Sequence, residues 1–172
     1  MVKPPRTGME AFALMPEGTY CQLINDVLIM SPAPTTQHAR IQGKIYSILN
    51  NYVEQNKIGE VYFAPVDVYL NTKNAFQPDI FYITNGRKDI IKENGVYGAP
   101  DLVIEILSKG NMKTDLVKKK IVYEATGVQE YWVVDPETKW CEGFILQNMA
   151  YASAGEGNGE LIIKMLNLTI SF

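Results

Sequence analysis

The sequence predicts an α/β (α+β) chain: a mixed central β-sheet flanked by helices, with more strand than helix. Three observations lead there. Short apolar runs bounded by turn residues recur along the chain, two segments carry apolar residues at helical spacing, and those segments fall between strands rather than after them. At 172 residues and 47% hydrophobic content, one domain with a sizeable buried core is expected. We read residues 1–15 as an N-terminal arm and 16–172 as the single domain.

Thr19 to Met30 reads as two short strands around the turn pair Asn25-Asp26. Ile41, Ile45, Ile48, Leu49 and Tyr52 share one helical face, so a long helix is expected from about Thr36 to Gln55, capped by Thr35 or Thr36. GEVYFAPVDVYLNT follows as a strand region in which Pro65 suits an edge or a bulge. FQPDIFYIT and GAPDLVIEILS are nearly continuous apolar strands that carry acids. A lysine-rich helix from about Met112 to Ala125 ends at Gly127. EYWVVD and KWCEGFIL form a hairpin about Pro136-Glu137, and the tail holds one or two more strands.

Composition excludes several classes. No run approaches the roughly 20 apolar residues of a membrane span, and the first residues lack the pattern of a signal peptide. Cys21 and Cys141 form neither a disulfide framework nor a zinc motif; free thiols in a reducing cytoplasm are expected. A net charge of −3 means that contact with nucleic acid would need a local basic patch. Phosphate-binding glycine loops, GxSxG, HExxH and CxxC are absent from the sequence.

The informative feature is acid inside apolar strand. In DLVIEILS, Leu102, Ile104 and Ile106 face one side, while Asp101, Val103, Glu105 and Leu107 face the other. Glu105 thus sits mid-strand, where an ionised carboxylate needs a partner or a metal. Asp79 in PDIFYIT poses the same problem. If these strands pair, the two carboxylates converge, and a hard divalent cation relieves their repulsion. Of the lysines that follow (Lys109, Lys113, Lys118, Lys119 and Lys120), Lys119 shares a stripe with Asp115 and Tyr123, and it falls between Val122 and Tyr123 on the wheel. His38, the one histidine, lies three residues before Ile41 on the apolar stripe. It reads either as a packed helix-end residue or as a proton-handling group beside the carboxylates. Asp67 in PVDVYL is another strand acid, and Gln22 and Asp26 in the first hairpin are weaker candidates.

QPDI, GAPDLVIEILS, the string Asp115-x₃-Lys119-x₃-Tyr123 and GVQEYWVVDP together resemble the Uma family of predicted restriction endonucleases, within the PD-(D/E)XK nuclease superfamily. The likeness runs from about Met15 to Phe172. It implies a restriction-endonuclease-like core with Asp79 and Glu105 binding Mg²⁺ (or Mn²⁺) and a lysine handling the attacking water. The superfamily's usual lysine position is Leu107 here, and the family pattern assigns the role to Lys119, with His38 beside the same water or phosphate. The family's first hairpin usually carries an acid and an Asp-Gly-type turn, where this chain has Gln22 and Asn25-Asp26. The expected function is metal-dependent hydrolysis of DNA by a homodimer. A non-catalytic nucleic-acid-binding or interaction protein on the same fold is the alternative, as is a phosphoesterase acting on RNA or small nucleotides.

Overall fold

The computed structural model describes residues 4–108 and 112–172, with side chains from Leu116 onward in the second long helix. A short helix, α1 (Gly8–Phe12), is capped by the Thr7 hydroxyl, which accepts from the Glu10 amide. The hairpin of β1 (Cys21–Ile24) and β2 (Val27–Met30) turns at Asn25 and Asp26, at φ 51° and 66°, a region these two side chains tolerate. The long helix α2 (Thr36–Asn56) begins where Thr35 Oγ1 accepts from the His38 amide at 3.2 Å. Next come β3 (Gly59–Phe63), β4 (Val68–Asn71), β5 (Asn74–Phe76) and β6 (Ile80–Thr84). A 3-10 turn (Asn85–Ile90) leads to the small strands β7 (Ile91–Lys92) and β8 (Gly95–Tyr97), then to β9 (Leu102–Ile106). Helix α3 (Met112–Thr126) precedes β10 (Glu130–Val134), β11 (Trp140–Gln147), β12 (Ala150–Asn158), β13 (Glu160–Ile163) and β14 (Leu168–Ser171).

The strands form two six-stranded sheets, ordered β2-β1-β5-β4-β8-β7 and β12-β11-β10-β9-β6-β3, with β13-β14 as a separate hairpin. The second sheet is the expected mixed one: β9 and β10 run parallel across α3, while β6 and β9 are antiparallel. The first sheet is an addition to that picture. The stretch read as one strand region crosses between sheets, with β3 in one and β4 in the other. Pro65 lies between them and offers no N–H to a ladder.

β9 alternates as its sequence demands. Leu102, Ile104 and Ile106 pack with Ile41, Ile45, Leu49 and Val53 of α2 and with the β13-β14 hairpin. Val103 enters the opposite core with Phe81, Tyr123 and Val133. On α2 the buried stripe is His38, Ile41, Ile45, Leu49 and Val53; Ile48 is exposed, because the strict i, i+4 row faces the sheet and Ile48 falls beside it. Within the arm, Phe12 is buried against Cys21, Leu23 and Ala75, and Asp26 Oδ1 accepts from the Gly8 amide at 2.8 Å. Both cysteines are free and buried. Among the described residues, no helix is long and apolar enough to cross a membrane.

Glu130 has no exposed surface, yet its carboxylate is fully used. Its oxygens accept from Trp132 Nε1, the Lys164 amide and the Met165 amide, each at 2.8 Å, tying β10 to the turn between β13 and β14. Opposite Trp132 on β11 is Gly143, where a Cβ would lie 2.5 Å from the indole ring.

Replacing Glu130 with alanine strands three buried donors, and should lower the unfolding free energy in urea by about 3 kcal/mol or more. A loss below about 1 kcal/mol would mean that the carboxylate does not hold the tail. Gly143→Ala should lower the melting temperature through the indole clash, and Trp132→Phe in the same chain should recover part of the loss. Equal melting temperatures for Gly143→Ala and the unaltered chain would rule the clash out.

Candidate active site

The β6–β9 ladder ends at the residues that matter. Continuing its register past Ile80↔Ile104 sets Asp79 opposite Glu105 and Pro78 opposite Ile106. Proline has no N–H to give, so the strands cannot pair normally here. Both backbone groups of Ile106 find side-chain partners instead: its N–H donates to Asp79 Oδ2 at 2.7 Å, and its carbonyl lies 3.1 Å from His38 Nε2. A carbonyl only accepts, so Nε2 carries the proton. The same nitrogen lies 3.3 Å from Asp79 Oδ1, which places His38 between the strand end and the carboxylate.

Glu105 is 5% exposed, on a strand whose every residue is buried. Lys119, 8% exposed, donates to both its oxygens at 2.9 and 3.0 Å, and the Tyr123 hydroxyl donates to Oε1 at 2.6 Å. Tyr123 is held edge-on to Phe76 and against Tyr131. Burial pushes the Glu105 carboxyl up, and the Asp79 charge adds to this; Lys119 and Tyr123 pull the other way without cancelling it. Tyr123 is raised well above its ordinary value, by burial and then by the Glu105 charge, so it stays a donor. For His38, burial lowers the value, but the hydrogen bond and charge of Asp79, the Ile106 carbonyl and the Glu105 charge outweigh it, and the net direction is up.

Asp79, Glu105, Lys119 and His38 all line one cavity of about 240 Å³. Leu107 also faces it, at the position where a strand lysine was absent. The remaining candidates are elsewhere. Asp101 sits at the far end of β9, paired with Arg87 at 2.9 Å and accepting from the Thr84 amide at 2.8 Å; it fastens the 3-10 turn. Asp67 accepts from Gln77 at 2.8 Å and is outside the cavity lining, with burial raising its carboxyl against the pull of that bond. Asp26 anchors α1, as above. The side chains of Asp115 and Lys113, and Lys109 as a whole, lie outside the described residues.

Sequence reasoning missed two glutamines. Gln42 lines the cavity and donates to the Asp79 carbonyl at 2.8 Å; its place four residues after His38 on the same helix face was a usable signal. Gln77 lines it too, and braces the Thr19 carbonyl and Asp67. Gln22, a weaker candidate, is in the lining, with Nε2 3.2 Å from Ser31 Oγ and a buried Oε1 that has no partner.

Among the described residues, no group of three or more His, Cys, Asp and Glu side chains is placed to hold a metal ion. Two facing carboxylates nonetheless fit a small hard cation, which commonly takes one or two carboxylates and completes its shell with water and phosphate oxygens. The unpaired Gln22 Oε1 is a further oxygen in the same cavity.

Comparison with solved structures finds the fold again. A crystal structure described as "a putative nuclease belonging to DUF820", from Anabaena variabilis, superposes with a TM-score of 0.79 at 22% identity, covering 97% of this chain and 95% of that one. No curated protein matches the chain. The family model Uma2, described as "Putative restriction endonuclease", matches residues 9–171. That span takes in the first hairpin, α2, both facing acids and α3, and the chain belongs to the Uma2 family.

Proposed function

We propose that this chain is a divalent-metal-dependent nuclease that hydrolyses phosphodiester bonds in DNA. The observation that supports it most is the meeting of Asp79, Glu105 and Lys119 on one cavity floor, in a chain of a family described as restriction endonucleases. Asp79 and Glu105 would hold Mg²⁺ or Mn²⁺, which supplies an acidified water and offsets charge on the phosphate. The protein's own residues do the rest. Lys119 has three N–H donors; two go to Glu105, leaving one for the attacking water or a phosphoryl oxygen. Its charge then stands where negative charge grows in the transition state. Tyr123 fixes the Glu105 carboxylate from behind. His38 acts through Asp79: its Nε2–H is shared by that carboxylate and the Ile106 carbonyl, so it is a positioning residue. Cutting two strands with one site per chain would take two copies, hence the homodimer that the sequence led us to expect.

Glu105→Gln and Asp79→Asn should each lower cleavage of plasmid DNA by about 100-fold or more, and abolish the heat of Mn²⁺ binding in calorimetry. Lys119→Met should lower cleavage comparably while leaving Mn²⁺ binding in place. Cleavage unchanged in Glu105→Gln would sink the nuclease reading. Metal-independent binding of nucleic acid without cutting would favour the alternative of a non-catalytic binding protein.

The His38–Asp79 pair also carries a pH signature. The folded chain holds the His38 proton more tightly than the unfolded chain does. The stability this contributes is fully present below the unfolded value of about 6.5, and is lost as pH rises through the raised folded value. The gap in unfolding free energy between the unaltered chain and His38→Gln should therefore be widest below about pH 6.5 and narrow as pH rises through the raised folded value. A gap that stays constant or grows with pH would overturn this assignment.

A further inference from the structure

We propose that the cavity takes a single unstacked nucleotide, so that the preferred substrate is single-stranded DNA; this deepens the nuclease reading and rests on it. The cavity is chemically two-sided. Its floor is charged, with Glu105 and Lys119 almost wholly withdrawn from solvent. Its wall on the first hairpin and the loop after it is largely apolar, with Tyr20, Ile29, Pro32 and Pro34 around the polar Gln22 and Ser31. A ligand that satisfies both carries an anion at one end and a flat apolar body at the other, which is the chemistry of a nucleotide.

Size points the same way. At about 240 Å³ the cavity lies below the roughly 300–1,000 Å³ of drug-sized sites, and it suits one nucleotide rather than a duplex. A stacked duplex is convex and stiff, and its phosphates ride on the outside. For a base to meet the wall while its phosphate lies on the floor, the nucleotide has to leave the stack. A single strand offers that without the cost of unstacking and unpairing.

Two features of the wall would read the nucleotide. Tyr20 is 39% exposed at the hairpin rim, where the Ser31 amide bonds its carbonyl, and alternation puts it on the face of Gln22 and Ile29. Its ring offers a platform for a base face, and stacking of this kind tolerates every base. Gln22 lies deeper. Whichever way its amide is turned, one end meets Ser31 and the other is buried and unpaired. An unmatched buried amide wants a complementary group, and a base edge supplies one. Gln22 thus offers base contact from the cavity wall.

The test is binding, read separately from cutting. Fluorescence anisotropy would compare one labelled DNA oligonucleotide as a single strand and as a blunt duplex, with Ca²⁺ present to hold the phosphate without turnover. An RNA strand of the same sequence would run beside them. Single-stranded DNA should bind at least about tenfold more tightly than duplex, and Tyr20→Ala should cost about tenfold on the single strand alone. Gln22→Leu should change the ranking of dA, dC, dG and dT homopolymers. Tyr20 is at the surface, so its variant should fold, and a matching thermal melt checks this. Duplex binding as tight as single strand, tighter binding of RNA, or single-strand binding that ignores Tyr20→Ala would each overturn the inference. Cleavage of both DNA forms would be followed in parallel. Efficient cutting with duplex preferred ends this inference and leaves the nuclease standing; tight single-strand binding with no cutting in Mg²⁺ or Mn²⁺ ends the nuclease reading instead.

Discussion

Glu105 lies on a strand with no exposed residue, and its two oxygens are taken by the Lys119 ammonium and the Tyr123 hydroxyl. Removing a carboxylate from water is costly, and the cost is borne here only because the crossover helix brings both donors to the same face of the sheet. That demand reaches outward. Tyr123 must be buried to meet Glu105, so Phe76 and Tyr131 close around it. Phe76 belongs to the first sheet and Tyr131 to the second. The pairing of one acid therefore helps to fix how the two sheets meet.

A second constraint comes from Pro78. It ends the β6–β9 ladder one step beyond Asp79, and the two orphaned backbone groups of Ile106 then recruit Asp79 and His38. The opening between strands is filled by side chains, and a cavity forms where hydrogen bonding would otherwise continue. The dipeptide Pro78-Asp79 thus makes both the gap and one of its acids. Glu105 supplies the other acid because the ladder, last paired at Ile104 one residue earlier, places it opposite.

Much of this was legible in the residues. The period of α2, the alternation in DLVIEILS, and the stripe joining Lys119 to Tyr123 are local signals, and each is where periodicity put it except for Ile48, which falls beside the buried row. What stayed hidden was set by distant partners. The β12 strand, AYASAGEGN, has no apolar alternation and exists because β11 templates it. The β7-β8 hairpin had only Asn94-Gly95 to announce it. Nothing local distinguishes β3 from β4, since their separation is decided by which sheet each finds. In the cavity, the acids stood out because charge in an apolar strand is conspicuous. Gln42 and Gln77 did not, because an uncharged amide in a helix or loop looks like ordinary surface.

The cavity draws its floor and walls from the first hairpin, α2, the start of β6, the end of β9 and α3. Those segments span most of the chain, and none holds more than a fragment of the arrangement. Bringing them together closes several long loops, each with its own entropic toll. A partly folded chain therefore does not bring these side chains together. The arrangement is thus a property of the closed fold, carried by residues 20 to 119 together and by no segment alone.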